Sequence, residues 1–129
     1  MKFSLKNVGV WFWFNSENES EGGVCLRSCT GDDINKIEKR TVTNRVEYKR
    51  GQRFEITERN EILYNEMLWN HCIVEWKNVE DEEGKELECN KENKAKLMGS
   101  SIAFANFIAN SLEKLTETEM ELRSAQEKN

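Results

Sequence analysis

The sequence predicts an α+β fold, with one or more N-terminal antiparallel β-hairpins packed on a mainly helical C-terminal half. Apolar residues alternate through the first third, and from about residue 58 their period becomes helical. Polar runs and glycines separate the alternating segments, as hairpin turns require. A length of 129 residues suits one domain, here residues 1–115. A polar tail over residues 116–129 is expected to be a frayed helix or disordered.

Val10, Phe12 and Phe14 alternate with Trp11 and Trp13, so both faces of the first strand are apolar. The polar loop 15–23 ends in two glycines, and residues 23–28 form the second strand, with Val24 and Leu26 on one face. Thr30 caps a short helix: Asp32 and Asp33 suit its first turn, Ile34 and Ile37 mark its buried face, and Lys39 and Arg40 suit its end. Alternation returns over residues 43–56 around Lys49-Arg50-Gly51-Gln52, which fits either a hairpin or an ordered loop.

A helical wheel over the next segment places Ile62, Trp69, Cys72, Ile73 and Trp76 in one sector, with Leu63, Met67 and Val74 in a second and Tyr64 and Leu68 in a third. That pattern predicts a central helix ending near Trp76. Val79 and Leu87 then face each other across an acidic turn at Gly84, and Asn90 caps a short helix to about Met98. The last helix starts near Ile102 and turns Ile102, Phe104, Ala105, Ile108, Ala109, Leu112 and Leu115 toward the core, with Phe107 outside that stripe beside Lys114.

Composition narrows the function. Nineteen basic against 24 acidic residues give a net charge of −5, which argues against a generally basic nucleic-acid binder. No proline is present, which removes collagen-like and proline-linker architectures. The apolar run 8–14 is too short to span a bilayer and no cleavage site follows it, so no membrane association is expected and the four cysteines should be reduced thiols. Cys25-x₃-Cys29, with Cys72 and either Cys89 or His71, has ligands enough for zinc. The sixteen residues between Cys72 and Cys89 lack the paired spacing of structural sites, so no metal and no cofactor is expected. His71 and Cys72 are chain neighbours pointing about 100° apart on a helix, a poor nucleophile–base pair, and no enzymatic activity is expected. The acidic run 80–83 lacks the alternating ligands of a calcium loop and reads as a solvated turn.

Two surfaces remain as candidates. Arg45, Lys49, Arg50 and Arg53, interleaved with Tyr48 and Phe54, make a basic patch that is either a solvated face, a contact for an acidic partner segment, or a nucleic-acid adaptor surface. The second is aromatic. Four tryptophans and six phenylalanines are many rings for a small core, so Trp11, Trp13 and Phe107, with Lys114 beside the last, are the expected partner-binding residues.

One stretch has a family likeness. Trp69-x₂-Cys72-Ile-Val-Glu-Trp-Lys-Asn-Val79, Asp81-x₂-Gly84-Lys-Glu-Leu-x-Cys89-x₂-Glu92-Asn-Lys94 and an apolar helix to Leu115 follow Gly23-Val-Cys-Leu-Arg27. Over residues 22–115 this resembles small tail-morphogenesis proteins of tailed bacteriophages and prophages, in which a helix ends in tryptophan and a Glu-Asn pair opens the next helix. Asn78 stands where glycine is expected, and asparagine also tolerates positive φ. The resemblance implies a non-enzymatic tail assembly chaperone of the host bacterial cytoplasm. Its partners would be the tape-measure and tail-tube proteins, and self-association into a homo-oligomer is compatible with it. The alternative is a permanent virion component, a head–tail connector or minor tail protein.

Overall fold

Strand β1 (Val10–Trp13) pairs antiparallel with β2 (Gly23–Leu26), and β2 pairs antiparallel on its other side with β5 (Ile73–Lys77), giving the order β1-β2-β5. The computed structural model describes residues 7–127, with side chains through Met120. Its architecture is α+β, with these strands and four helices, α1 (Gly31–Thr41), α2 (Glu61–Cys72), α3 (Lys91–Ser100) and α4 (Ile102–Glu127), among the described residues. The chain divides into two compact units, Cys29–Leu68 and the segments on either side of it.

In the unit built around the β1-β2-β5 sheet, β2 is central and all four of its residues are buried. The core joins Val24, Leu26, Ile73, Trp76 and Val79 to Phe104 and Ile108 of α4. Among the described side chains of α4 the buried positions are Phe104, Ile108, Ser111 and Leu115, a stripe of i, i+4, i+7 and i+11; Ile102 and Ala109, expected to face the core, are exposed, Ile102 by 81%. The helix continues past Leu115 to Glu127; the final two positions of the expected tail lie outside the described residues. The expected acidic turn forms, with a Glu80–Glu86 bridge, Leu87 N–H donating to the Val79 carbonyl at 2.8 Å, and Gly84 at φ 80°.

One expectation is overturned. The segment 62–76 is not a single helix: α2 ends at Cys72 and Ile73–Lys77 is a strand. Opposite Cys25 and Leu26 the register shifts, so Val74 is an extra residue on β5. This bulge lets both Ile73 and Trp76 face the core, a spacing of three that imitates a helix.

In the other unit, Thr30 and Asp33 form a capping box at the start of α1: Thr30 Oγ1 accepts from Asp33 N–H at 3.2 Å and Asp33 Oδ2 accepts from Thr30 N–H at 3.0 Å. Ile37 and Thr41 are the buried positions of this helix. β3 (Val42–Lys49) and β4 (Gln52–Arg59) then form the second hairpin, in unbroken register from Val42↔Arg59 to Lys49↔Gln52. Its two-residue turn places Arg50 at φ 53° and Gly51 at φ 75°, the handedness that matches strand twist.

Candidate functional site

The register of the three-stranded sheet sorts its side chains onto two faces. Phe12, Val24 and Trp76 are cross-strand partners in one row and face the core, where Trp76 meets Phe104 edge-on at 5.9 Å. Trp11, Trp13, Gly23, Cys25, Glu75 and Lys77 occupy the opposite face. Trp11 and Trp13, two residues apart on one strand, lie with ring centroids 5.1 Å apart and planes 6° from parallel. Lys77 extends its ammonium across both rings, 4.8 Å from the Trp11 centroid and 5.7 Å from that of Trp13.

Gly23 makes this arrangement possible. It pairs with Trp13 on one side and Lys77 on the other. A Cβ there would lie 2.7 Å from Trp13 Cε3 and 2.5 Å from the Phe12 carbonyl, so only hydrogen leaves room for the indole over the strand. The surface is therefore built: a glycine gap, two parallel indoles and one cation. Neither Gly23 nor Lys77 was among the expected site residues. A glycine beginning an otherwise apolar strand is a local signal for Gly23, whereas Lys77 is brought to the rings only by strand pairing.

The other aromatic candidate is partly enclosed. Phe107 is half-buried, packs against the core, and meets Phe14 at 4.9 Å with a 54° tilt. Trp11 and Trp13 are half-buried as well, so all three expected partner-binding rings are partly covered. Lys114 is exposed on the same helix. The remaining rings divide between Trp76 and Phe104, which are buried, Phe12 and Trp69, half-buried against the core, and the exposed Phe14 and Phe54. Phe3 lies outside the described residues.

Strand alternation separates the basic candidates. Arg45 and Lys49 share one face of the hairpin, Arg53 is on the other, and Arg50 is in the turn. Arg45 is ion-paired with Glu58 at 2.8 Å and Glu47 at 3.2 Å, and Arg53 with Glu55 at 2.9 Å. The four cations do not converge as a phosphate-tracking surface requires.

His71 accepts a contact from the Arg27 guanidinium at its Nδ1, 3.3 Å away, while Arg27 Nε donates to the His71 carbonyl at 2.8 Å. Asp81 Oδ1 accepts from the Glu83 and Lys85 backbone N–H groups, both at 2.9 Å, so this acid organises its own turn. Lys94, unforeseen in the sequence, is buried and donates from Nζ to the Asn70 carbonyl and to Asn70 Oδ1, both at 3.2 Å. Among the described residues, no three His, Cys, Asp or Glu side chains converge as metal ligands, and no helix is long and apolar enough to cross a membrane.

Burial pushes the Cys25 thiol above the usual range, Glu75 adds to that shift, and Arg27 opposes it. Burial also raises Cys89, against the lowering effect of Lys94. A raised thiol keeps its proton in the folded chain after the unfolded chain has lost it. The associated stability is thus complete below the usual thiol pKa of about 8.5 and declines as pH rises beyond it. At pH 8, iodoacetamide is expected to alkylate Cys25 more slowly than it alkylates the same residue in urea-unfolded chain, as read by peptide mass spectrometry. Equal rates would show an accessible, unshifted thiol.

Comparison with curated proteins and with solved structures gives no match. Comparison with protein families matches residues 32–129, from the first turn of α1 to the C-terminus, to a family described as YdaY prophage protein. That span covers most of the chain, including β5, the acidic turn and α4, although β1 and β2 precede it. The chain belongs to the family of YdaY prophage proteins.

Proposed function

We propose that this prophage protein is a non-enzymatic tail-assembly factor. It holds a tail component, the tape-measure protein or a tail-tube subunit, during morphogenesis in the host cytoplasm. The supporting observation is the Trp11–Trp13 pair under Lys77, on the sheet face opposite the core. Parallel indoles offer broad apolar contact at low entropic cost, and tryptophan is enriched among residues that dominate binding energy. Lys77 adds a cation that favours an acidic group on the partner. Reversible holding requires this combination of apolar anchors and an acidic, soluble exterior, and the chain carries a net charge of −5.

The test is co-expression with the tape-measure and tail-tube proteins of the same prophage. The wild-type chain is expected to co-purify with one of them, keep it soluble, and be absent from mature particles. Trp11→Ala/Trp13→Ala is expected to weaken the complex about 30-fold or more, as loss of a binding hot spot does. Lys77→Glu, which keeps both indoles, should weaken it less. Wild-type binding by a folded double variant would rule out this face, and retention in purified particles would identify a permanent virion component.

A further inference from the structure

The hairpin β3–β4 has the form of an unfinished sheet. Of its strand residues only Val42, Glu47 and Ile56 are half covered and none is buried, while Tyr48 is 72% exposed. A two-stranded ribbon is marginal in water without further strands or a cover over its apolar side chains. Proteins blunt a long open edge with a proline, a bulge, a short strand or charged side chains, and of these devices β3 has only its charges, Arg45, Glu47 and Lys49. These strands have eight residues each, their register is unbroken, and the chain contains no proline.

The order of charges along β3 indicates what completes it. Arg45-Val46-Glu47 runs cation, apolar, anion, and an antiparallel two-fold axis reverses that order. With the axis at Val46, Val46 meets its own copy, Arg45 faces Glu47 at two symmetric places, and Asn44 faces Tyr48. Moving the axis by one residue sets Arg45 against Arg45 or Glu47 against Glu47. Opposite charges across strands stabilise a pair and like charges destabilise it, so the triplet selects one register. β4 carries a similar triplet, Arg53-Phe54-Glu55, but nearer its end. An axis at Phe54 pairs only residues 52–56, whereas the axis at Val46 pairs residues 43–49.

We infer that the open edge of β3 pairs with the β3 edge of a second copy of this chain, antiparallel and centred on Val46. The product is a four-stranded sheet in the order β4-β3-β3-β4, an isologous contact in which each copy supplies the same residues. It uses none of the residues of the Trp11–Trp13 face, so Trp11→Ala/Trp13→Ala should leave the dimer unchanged while weakening tail-component binding.

The test uses the full chain, sedimentation equilibrium, and cysteine cross-linking under mild oxidation against the wild-type background. Val46→Cys is expected to form a disulfide-linked dimer, because directly opposed strand residues lie within disulfide reach. Asn44→Cys, on the same edge but about 13 Å from its copy, should not. Arg45→Glu is expected to weaken dimerisation about tenfold, and Arg45→Glu/Glu47→Arg/Glu58→Arg to restore it, since the reversed triplet is again self-complementary and the third change keeps position 45 paired with position 58. A wild-type chain that stays monomeric at its highest soluble concentration would overturn the inference. So would Val46→Cys cross-linking no faster than Asn44→Cys, a result that stands even if the charge variants fail to fold.

Discussion

Replacing Trp76 with alanine is expected to destabilise the fold by about 3–5 kcal/mol, the usual effect of deleting a large buried aromatic. Trp76 is 5% exposed, lies beside Val24 in the sheet, and meets the Phe104 ring edge-on at 5.9 Å and 86°. It therefore joins the sheet to α4. Its indole N–H also donates to the Leu87 carbonyl at 2.8 Å, tying the acidic turn to the core. Small domains are stable by only about 5–15 kcal/mol, so this variant should unfold at a much lower urea concentration. Trp76→Phe keeps most of the ring contact and loses the hydrogen bond, worth about 1 kcal/mol plus a small packing loss. Equal effects of the two substitutions would show that ring volume is not what holds α4 to the sheet.

Gly22→Ala is expected to cost about 3 kcal/mol, combining backbone strain with overpacking. Gly22 adopts φ 100° and ψ 179°, a region open almost only to glycine. A Cβ there would overlap the Lys77 carbonyl and approach Asn78 Cβ to 2.8 Å. The Gly22 carbonyl also accepts from Phe14 N–H at 2.9 Å. Asn78, at φ 57°, donates from Nδ2 to the Ser20 carbonyl at 2.8 Å, so the two residues lock the β1–β2 loop against the end of β5. The loss should appear in urea unfolding. Gly51→Ala is the control: its φ is also positive, at 75°, but nothing lies within 4 Å of the Cβ position, so its cost should be smaller. Comparable losses would assign the effect at Gly22 to backbone strain alone.

The elements that could be read from the sequence are those whose signals are local. Thr30 and Asp33 specify the start of α1 through side-chain bonds three residues apart, and Asn90 does the same for α3 by accepting from Asn93 N–H at 2.9 Å. Asn78 takes the positive φ that glycine was expected to supply. The junction at Cys72–Ile73 was hidden because the bulge at Val74 gives Ile73 and Trp76 a helical spacing inside a strand. A segment apolar in three directions was the available warning, since a helix and a strand laid on one wheel produce it. The site was half legible. Trp11 and Trp13 follow from alternation, but Lys77 reaches them only through two registers of pairing, and no sequence periodicity connects residues 11 and 77. The contact of Phe107 with Phe14 joins residues distant in sequence, so no periodicity shows it.

The most direct test of the binding account is amide hydrogen exchange of the chain with and without the tape-measure protein of its own prophage. Slower exchange is expected in β1 and β5, which carry Trp11, Trp13 and Lys77, with the β3–β4 hairpin unchanged. Protection confined to the hairpin, or none in β1 and β5 under conditions where the two proteins co-sediment, would contradict it.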